Sequence, residues 1–207
     1  HITFRKIWTK SGSREIYLFL DYFIFKKKMN TQKIWKMKNP IITNITQLQE
    51  LSENSYNLTD KTITIEGINV NNNIYEYLLN ILKNGKINTL QFNHIPITND
   101  FFNTILDLHI NSYVKTLAIN NSNLNPNDGI ELLDILDPYG PFINIDLNNN
   151  QLGGNGYQKF LTYLKDSLTE KLTGFKSLNL SNNGFQTKDI DEFKNGLDTC
   201  DLNIVTF

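Results

Sequence analysis

Apolar residues recur along this chain as one phrase: two apolar positions separated by a polar one, then a turn, then a segment with helical spacing. The pairs are Ile63 and Ile65, Leu90 and Phe92, Leu117 and Ile119, Ile145 and Leu147, and Leu178 and Leu180. Counted at the first member, they are separated by 27, 27, 28 and 33 residues. Alternation with period two is the mark of a strand with one buried face. An apolar residue also stands three positions before each of the later pairs, at Ile87, Val114, Phe142 and Phe175. Another follows every pair by five, at Val70, Ile97, Leu124, Leu152 and Phe185. Apolar positions held in register through successive copies define a repeat, and a repeat constrains the whole architecture.

The segments between the pairs have one apolar face at helical spacing. Ile74, Leu78, Ile81 and Leu82 form it first; Phe102, Ile105 and Leu108 follow, then Ile130, Leu133 and Leu136. Phe160 and Leu164, then Ile190, Phe193 and Leu197, complete the set. Asp100, Asp128 and Asp189 fall near the expected helix starts, where a carboxylate accepts free backbone N–H groups and meets the positive end of the dipole. Alternation of strand and helix predicts an α/β fold with a parallel sheet, in which each unit buries its apolar face against its neighbours.

Two copies are the best formed: F-I-N-I-D-L-N-N-N-Q-L at 142–152 and F-K-S-L-N-L-S-N-N-G-F at 175–185. Both fit L-x-x-L-x-L-x-x-N-x-L, and over roughly residues 60 to 204 the chain resembles a leucine-rich repeat protein of the ribonuclease-inhibitor-like class. The run Asn150-Gln-Leu152-Gly-Gly-Asn-Gly156 is similar to that family's N-x-L-G-x-x-G turn into the helix. The resemblance implies a leucine-rich-repeat solenoid with a curved parallel sheet on the concave side and helices on the convex side. It also implies a ladder of buried asparagine amides bonded to neighbouring turn backbone. Only Asn150 and Asn183 can supply that ladder, because its earlier positions hold Ile68, Ile95 and Ser122.

The array is expected to occupy residues 60–207, with five or six repeats, after a capping helix region at 39–59 and a separate N-terminal segment at 1–38. The cap starts at Asn39-Pro40, with Asn44 as N-cap and Ile45, Leu48 and Leu51 on one face. The N-terminal segment contains an apolar stretch, Ile16–Phe25, interrupted by Asp21 and followed by Lys26, Lys27 and Lys28 rather than a small-residue cleavage site. It is shorter than the roughly 20 residues a membrane-spanning helix requires. It reads as a buried strand or helix, as a membrane-surface anchor, or, because the chain opens at His1 and its first methionine is Met29, as the tail of an upstream domain or as no part of the natural product. The 33-residue step places an insertion within residues 165–174, to be accommodated as a loop or a longer helix. Leu202-Asn-Ile204 reads as a sixth strand; with no polar cap before Phe207, a partner or further repeats of the same chain are expected to cover the edge.

Composition narrows the partners. A net charge of -1 and a pI of about 6.3 give no electrostatic footprint for nucleic acid. The only arginines, Arg5 and Arg14, precede the repeats, which leaves the array no arginine for phosphate recognition. Cys200 is the single cysteine, so no disulfide framework or multi-thiolate metal site forms within the chain; with no membrane span expected, the cytoplasm is the expected compartment. Asparagine supplies 31 of 207 residues, so chance accounts for the glycosylation triplets at Asn44, Asn57, Asn120 and Asn179. No nucleophile elbow, phosphate-binding loop or paired-histidine zinc motif occurs. Gly153, Gly154 and Gly156 lack the lysine of a phosphate loop, and His94 and His109 are isolated.

What remains is a surface. The polar residues between the core positions face the concave side, and Gln91, Asn93, Asn120, Asn144, Asp146, Asn148, Asn179 and Ser181 are the candidate partner-binding residues, with the segment from Lys165 to Lys171 beside them. The expected function is a non-enzymatic scaffold for a protein partner, with no cofactor, metal or catalytic residue. Two alternatives follow from the resemblance: regulation of a small GTPase, in the manner of the family's Ran GTPase-activating branch, or membership in an actin-regulating leucine-rich-repeat scaffold.

Overall fold

Each apolar–polar–apolar pair lies in or at the end of a strand, and the strands stack in chain order into one seven-stranded parallel sheet. They are β1 (Ile41–Ile42), β2 (Thr62–Glu66), β3 (Thr89–Asn93), β4 (Thr116–Asn120), β5 (Asn144–Asp146), β6 (Ser177–Asn179) and β7 (Val205–Thr206). Register follows the repeat: Ile63 is paired with Leu90, Leu90 with Leu117, Leu117 with Ile145 and Ile145 with Leu178. The computed structural model describes residues 33–69, 72–111, 113–136, 142–170, 176–195 and 205–207. The chain divides into two compact units, His1–Ile34 and Trp35–Phe207, and the sheet belongs wholly to the second. The stretch Ile16–Phe25, Val70, Lys171, Phe175, Leu197, Cys200 and Leu202–Ile204 lie outside the described residues, as do the side chains of Leu108 and His109.

Six α-helices alternate with the strands among the described residues: α1 (Ile45–Glu53), α2 (Asn72–Asn84), α3 (Asn99–Asn111), α4 (Pro126–Ile135), α5 (Tyr157–Glu170) and α6 (Thr187–Asn195). Their starts are fixed locally. Asn44 Oδ1 accepts the Gln47 N–H at 3.1 Å and caps α1. At α4, Asn125 Oδ1 accepts from Asn127 and Asp128 while Asp128 Oδ2 accepts the Asn125 N–H at 2.8 Å, a reciprocal box with Pro126 at the first helical position. Asp189 Oδ2 accepts the Gln186 N–H at 3.4 Å, a longer version of the return bond.

One face of the sheet and one face of each helix make the core. Ile63, Ile65, Phe92, Leu117, Ile119, Ile145, Leu147, Leu178 and Leu180 are fully buried, and so are Ile81, Ile105, Leu132, Phe160 and Leu164 on the helices. The Phe92 ring of β3 meets Phe101 of α3 edge-on at 5.2 Å, the geometry favoured by the ring quadrupoles. At the other end of the sheet, Phe207 lies against Phe185 at 5.5 Å and Phe193 at 5.4 Å.

The structure corrects three expectations. The region before the first repeat supplies a strand as well as a helix, because Ile42 is paired with Ile65 and extends the sheet by β1. The last strand falls at Val205–Thr206: Val205 is the residue opposite Leu178, three positions beyond Leu202. In α4 the buried face runs through Gly129, Leu132 and Leu133, leaving Ile130 half-buried. Gly129 lies where a Cβ would come within 2.7 Å of the Phe160 ring and 2.8 Å of Leu152, so the absence of a side chain turns the helix toward that contact. The insertion is taken up in part by helix, since Lys165 to Glu170 continue α5.

Candidate functional site

Alternate strand positions face away from the helices, and register sets them in three rows. Thr62, Thr89, Thr116, Asn144 and Ser177 form the first. The second runs Ile41, Thr64, Gln91, Ala118, Asp146, Asn179 and Thr206, across all seven strands. Glu66, Asn93 and Asn120 form the third. The face is polar, it carries the carboxylates of Glu66 and Asp146, and none of its residues is a lysine or arginine.

Hydrogen bonds along the rows separate the side chains that brace the sheet from those left to act outward. In the first row, Ser177 Oγ donates to Asn144 Oδ1 at 3.0 Å and Asn144 Nδ2 donates to Thr116 Oγ1 at 3.3 Å. In the third, Asn121 Nδ2 donates to Asn93 Oδ1 at 2.8 Å and Asn93 Nδ2 donates to Glu66 Oε1 at 3.2 Å. Both ends of the Asn93 and Asn144 amides are therefore engaged within the protein. Asn148 is engaged likewise, giving Nδ2 to Asp146 at 2.7 Å and accepting from Asn149 at 2.5 Å. These three predicted contact residues are braces.

Asp146 and Asn179 have two roles. Asp146 Oδ1 accepts the Asn148 N–H at 3.1 Å, and one repeat later Asn179 Oδ1 accepts the Ser181 N–H at 3.0 Å. Each side chain thus folds onto backbone two residues ahead and shapes the turn leaving its strand. Among the described residues Asp146 Oδ2 and Asn179 Nδ2 meet no partner, so neighbouring strands offer an acceptor and donors outward. Gln91 and the Ser181 hydroxyl are uncommitted in the same sense. Ala118 stands in register between Gln91 and Asp146 with nothing beyond its Cβ, and the second row dips there. Beside this dip on β4 is Asn120, only 6% exposed, whose Oδ1 is buried and meets no donor among the described residues. A buried acceptor left unpaired is uncommon and costly, and calls for a donor that the described residues do not supply.

The turns behind the site are held by amides. Asn150 Oδ1 accepts from Ser122 N at 3.0 Å and Leu124 N at 3.1 Å, while its Nδ2 donates to Ile119 O at 2.7 Å and Leu147 O at 2.9 Å. Asn183 repeats this against Leu152 N, Leu147 O and Leu180 O. Both members of the expected ladder therefore form. Ser122 partly substitutes one repeat earlier: its Oγ accepts the Ile95 N–H at 3.3 Å and donates to Asn120 O at 2.9 Å. Ile95 itself occupies the next position toward the N-terminus and is buried.

The residue that begins each of these turns has a positive φ in every repeat: Gly67 at 65°, His94 at 51°, Asn121 at 53°, Asn149 at 56° and Asn182 at 59°. Glycine adopts this region freely, and asparagine and histidine are enriched there among other residues. Asparagine therefore has a structural use at Asn121, Asn149 and Asn182. Its signal was available: the position is filled only by Gly, His or Asn. His94 is otherwise a rim residue, its side chain 60% exposed and Nδ1 3.6 Å from Glu66 Oε1. Gly153 and Gly154 give their N–H groups to Asn183 O at 2.8 Å and Gln151 O at 2.9 Å, so those amides are spent on the turn.

Lys165 does not join Asp146 and Asn179. It lines a groove of about 360 Å³ between α5 and α6, on the helix layer. There Tyr157 OH donates to Asp189 Oδ1 at 2.8 Å, and that bond to a carboxylate, aided by burial and by the carboxylate's charge, raises the phenol's pKa above its ordinary value. Among the described residues no group of three or more metal-ligating side chains is gathered, and no helix is long and apolar enough to cross a membrane. No protein-family model matches the chain, and no curated protein matches it.

Proposed function

We propose that this chain is a leucine-rich-repeat solenoid of the ribonuclease-inhibitor-like class, acting as a non-enzymatic scaffold that binds a protein partner on the open face of its sheet. The observation that carries the reading is the second row: seven in-register positions, centred on Gln91, Ala118, Asp146 and Asn179, with Asp146 and Asn179 set by turn hydrogen bonds and the rows on either side braced across strands. Side chains fixed before binding lose less entropy on contact, so such a face binds better than loose surface residues would. The family assignment is supported by the strand–helix alternation at near-constant period and by the amide ladder of Asn150 and Asn183.

The test compares proteins captured by the natural chain with those captured by Asn179→Arg and Gln91→Arg, which place bulk on the open face, and by Lys159→Glu, which alters the helix side. Loss on both open-face variants with retention on Lys159→Glu supports the scaffold; capture unaffected by the open-face changes rejects it. Single-turnover GTP hydrolysis by small GTPases is measured alongside, and acceleration by the chain would replace the scaffold reading with GTPase regulation.

A further inference from the structure

Asparagine followed by glycine is the dipeptide in which a side-chain amide is most readily attacked by the next backbone nitrogen, because no Cβ on the following residue obstructs ring closure. Three such pairs have both members among the described residues, and their surroundings differ. At Asn84–Gly85 the Gly85 N–H is held by Ile81 O at 2.8 Å, and Asn84 Nδ2 donates to Asn80 Oδ1 at 2.5 Å. At Asn183–Gly184 the asparagine is 3% exposed, with Oδ1 and Nδ2 both tied into the ladder. At Asn155–Gly156 both residues are exposed, and among the described residues neither the Asn155 amide nor the Gly156 N–H has a hydrogen-bond partner. Asn155 is also flanked on its other side by Gly154, and Gly156 has a φ of 91°. Nothing local holds the amide away from the nitrogen.

We propose that Asn155 is a site of spontaneous covalent modification, through a succinimide formed with Gly156. The Gly156 nitrogen bonds to Asn155 Cγ, its proton passes to the departing amide nitrogen, and ammonia leaves. Water then opens the five-membered ring at either carbonyl and leaves an aspartyl or an isoaspartyl residue at position 155. Water is the only co-reactant, and no electron is transferred.

The position gives the reaction a consequence. Residue 155 lies two positions before α5, in a turn anchored upstream by Gly153 N to Asn183 O at 2.8 Å and downstream by Lys159 N to Gly156 O at 3.0 Å. The aspartyl product places a carboxylate at a helix N-terminus, where the dipole favours it. The isoaspartyl product lengthens the main chain by one atom inside a turn fixed at both ends, and so displaces the start of α5, where Tyr157 meets Asp189.

The folded protein is incubated at mildly alkaline pH and sampled by peptide mapping with mass spectrometry, with a denatured sample in parallel. The expected result is a one-dalton increase and an isoaspartyl product at position 155, accumulating about tenfold or more faster than at 84 or 183, whose reaction first requires native hydrogen bonds to open. In the denatured chain the three pairs converge in rate, and Asn155→Gln suppresses the product at 155 alone. Comparable conversion at Asn183 or Asn84 in the folded protein overturns the proposal, as does an unmodified Asn155 in a sample whose denatured counterpart reacts.

Discussion

Asn183 Oδ1 accepts the backbone N–H of Leu152 at 3.2 Å, across 31 residues of sequence. The same amide gives its hydrogens to Leu147 O and Leu180 O, so one side chain satisfies backbone groups of two successive turns. Asn183→Ala leaves Leu152 N and Leu180 O without that partner, while Leu147 O keeps its bond from Asn150. At about 1–3 kcal/mol for each group stranded, the expected loss is at least ~2 kcal/mol, seen as a lower urea midpoint at unchanged slope.

Gly129→Ala sets two effects against each other. Replacing a helix-interior glycine gains up to about 1 kcal/mol in propensity. Against this, the new methyl group meets Phe160 and Leu152 at under 3 Å, and both are completely buried. Overpacking of this kind costs about 1–3 kcal/mol, so the variant is expected to melt lower than the natural chain. A rise in melting temperature would mean that the α4–α5 contact relaxes freely.

For Asp146 the substitution must distinguish its two roles. Asp146→Asn keeps an acceptor for the Asn148 N–H and removes the charge, whereas Asp146→Lys removes both. Unchanged melting for Asp146→Asn with weakened partner binding would assign the binding role to the charge. Asp146→Lys is expected to lose about 1 kcal/mol of stability in addition, as the turn bond goes.

Tyr157 predicts an alkaline effect. Its pKa is raised in the fold because it donates to Asp189, so the folded chain holds the phenol proton more tightly than the unfolded chain. The contribution is fully present below the unfolded value of about 10 and is lost as pH rises through the folded value. Tyr157→Phe should lower stability at neutral pH, where the bond to Asp189 is fully present, and flatten the fall in the alkaline range; an identical alkaline profile would refute the linkage.

Leu147→Asp tests the strand register directly. Leu147 is completely buried, and a carboxylate there has no partner, so no cooperative folded state is expected by circular dichroism. A folded variant with unchanged melting would place Leu147 outside the core.

The sequence made the sheet order and the register of the central strands legible, since Ile63, Leu90, Leu117, Ile145 and Leu178 mark them by period alone. β1 was hidden because two apolar residues after a proline have no alternation to display. Ile130 was favoured over Leu132 because spacing counted apolar side chains, whereas Gly129 sets the helix orientation by having none. Register sets Gln91, Asn93, Asn120, Asn144, Asp146 and Asn179 in rows, with Asn148 and Ser181 just past their strands, but the division of labour among them is invisible in the sequence. Whether an asparagine braces or remains available depends on neighbours a repeat away, as Asn144 does on Thr116 and Ser177.

Thr62, Thr89 and Thr116 stand opposite one another at equal intervals of 27 residues. That equality makes the early part of the sheet divisible. Removing residues 89–115 would join Asn88 to Thr116 and bring β4 against β2 in the register β3 now occupies, with Ile63 opposite Leu117 and His94's positive-φ place passing to Asn121. After β4 the interval changes to 28 and then 33, so an excision that keeps the register there has to match its own interval, residues 116–143 or 144–176, rather than one common length. The molecule is thus evenly periodic over its first strands and uneven over its last, and only in the first of those regions does one fixed length serve for every unit.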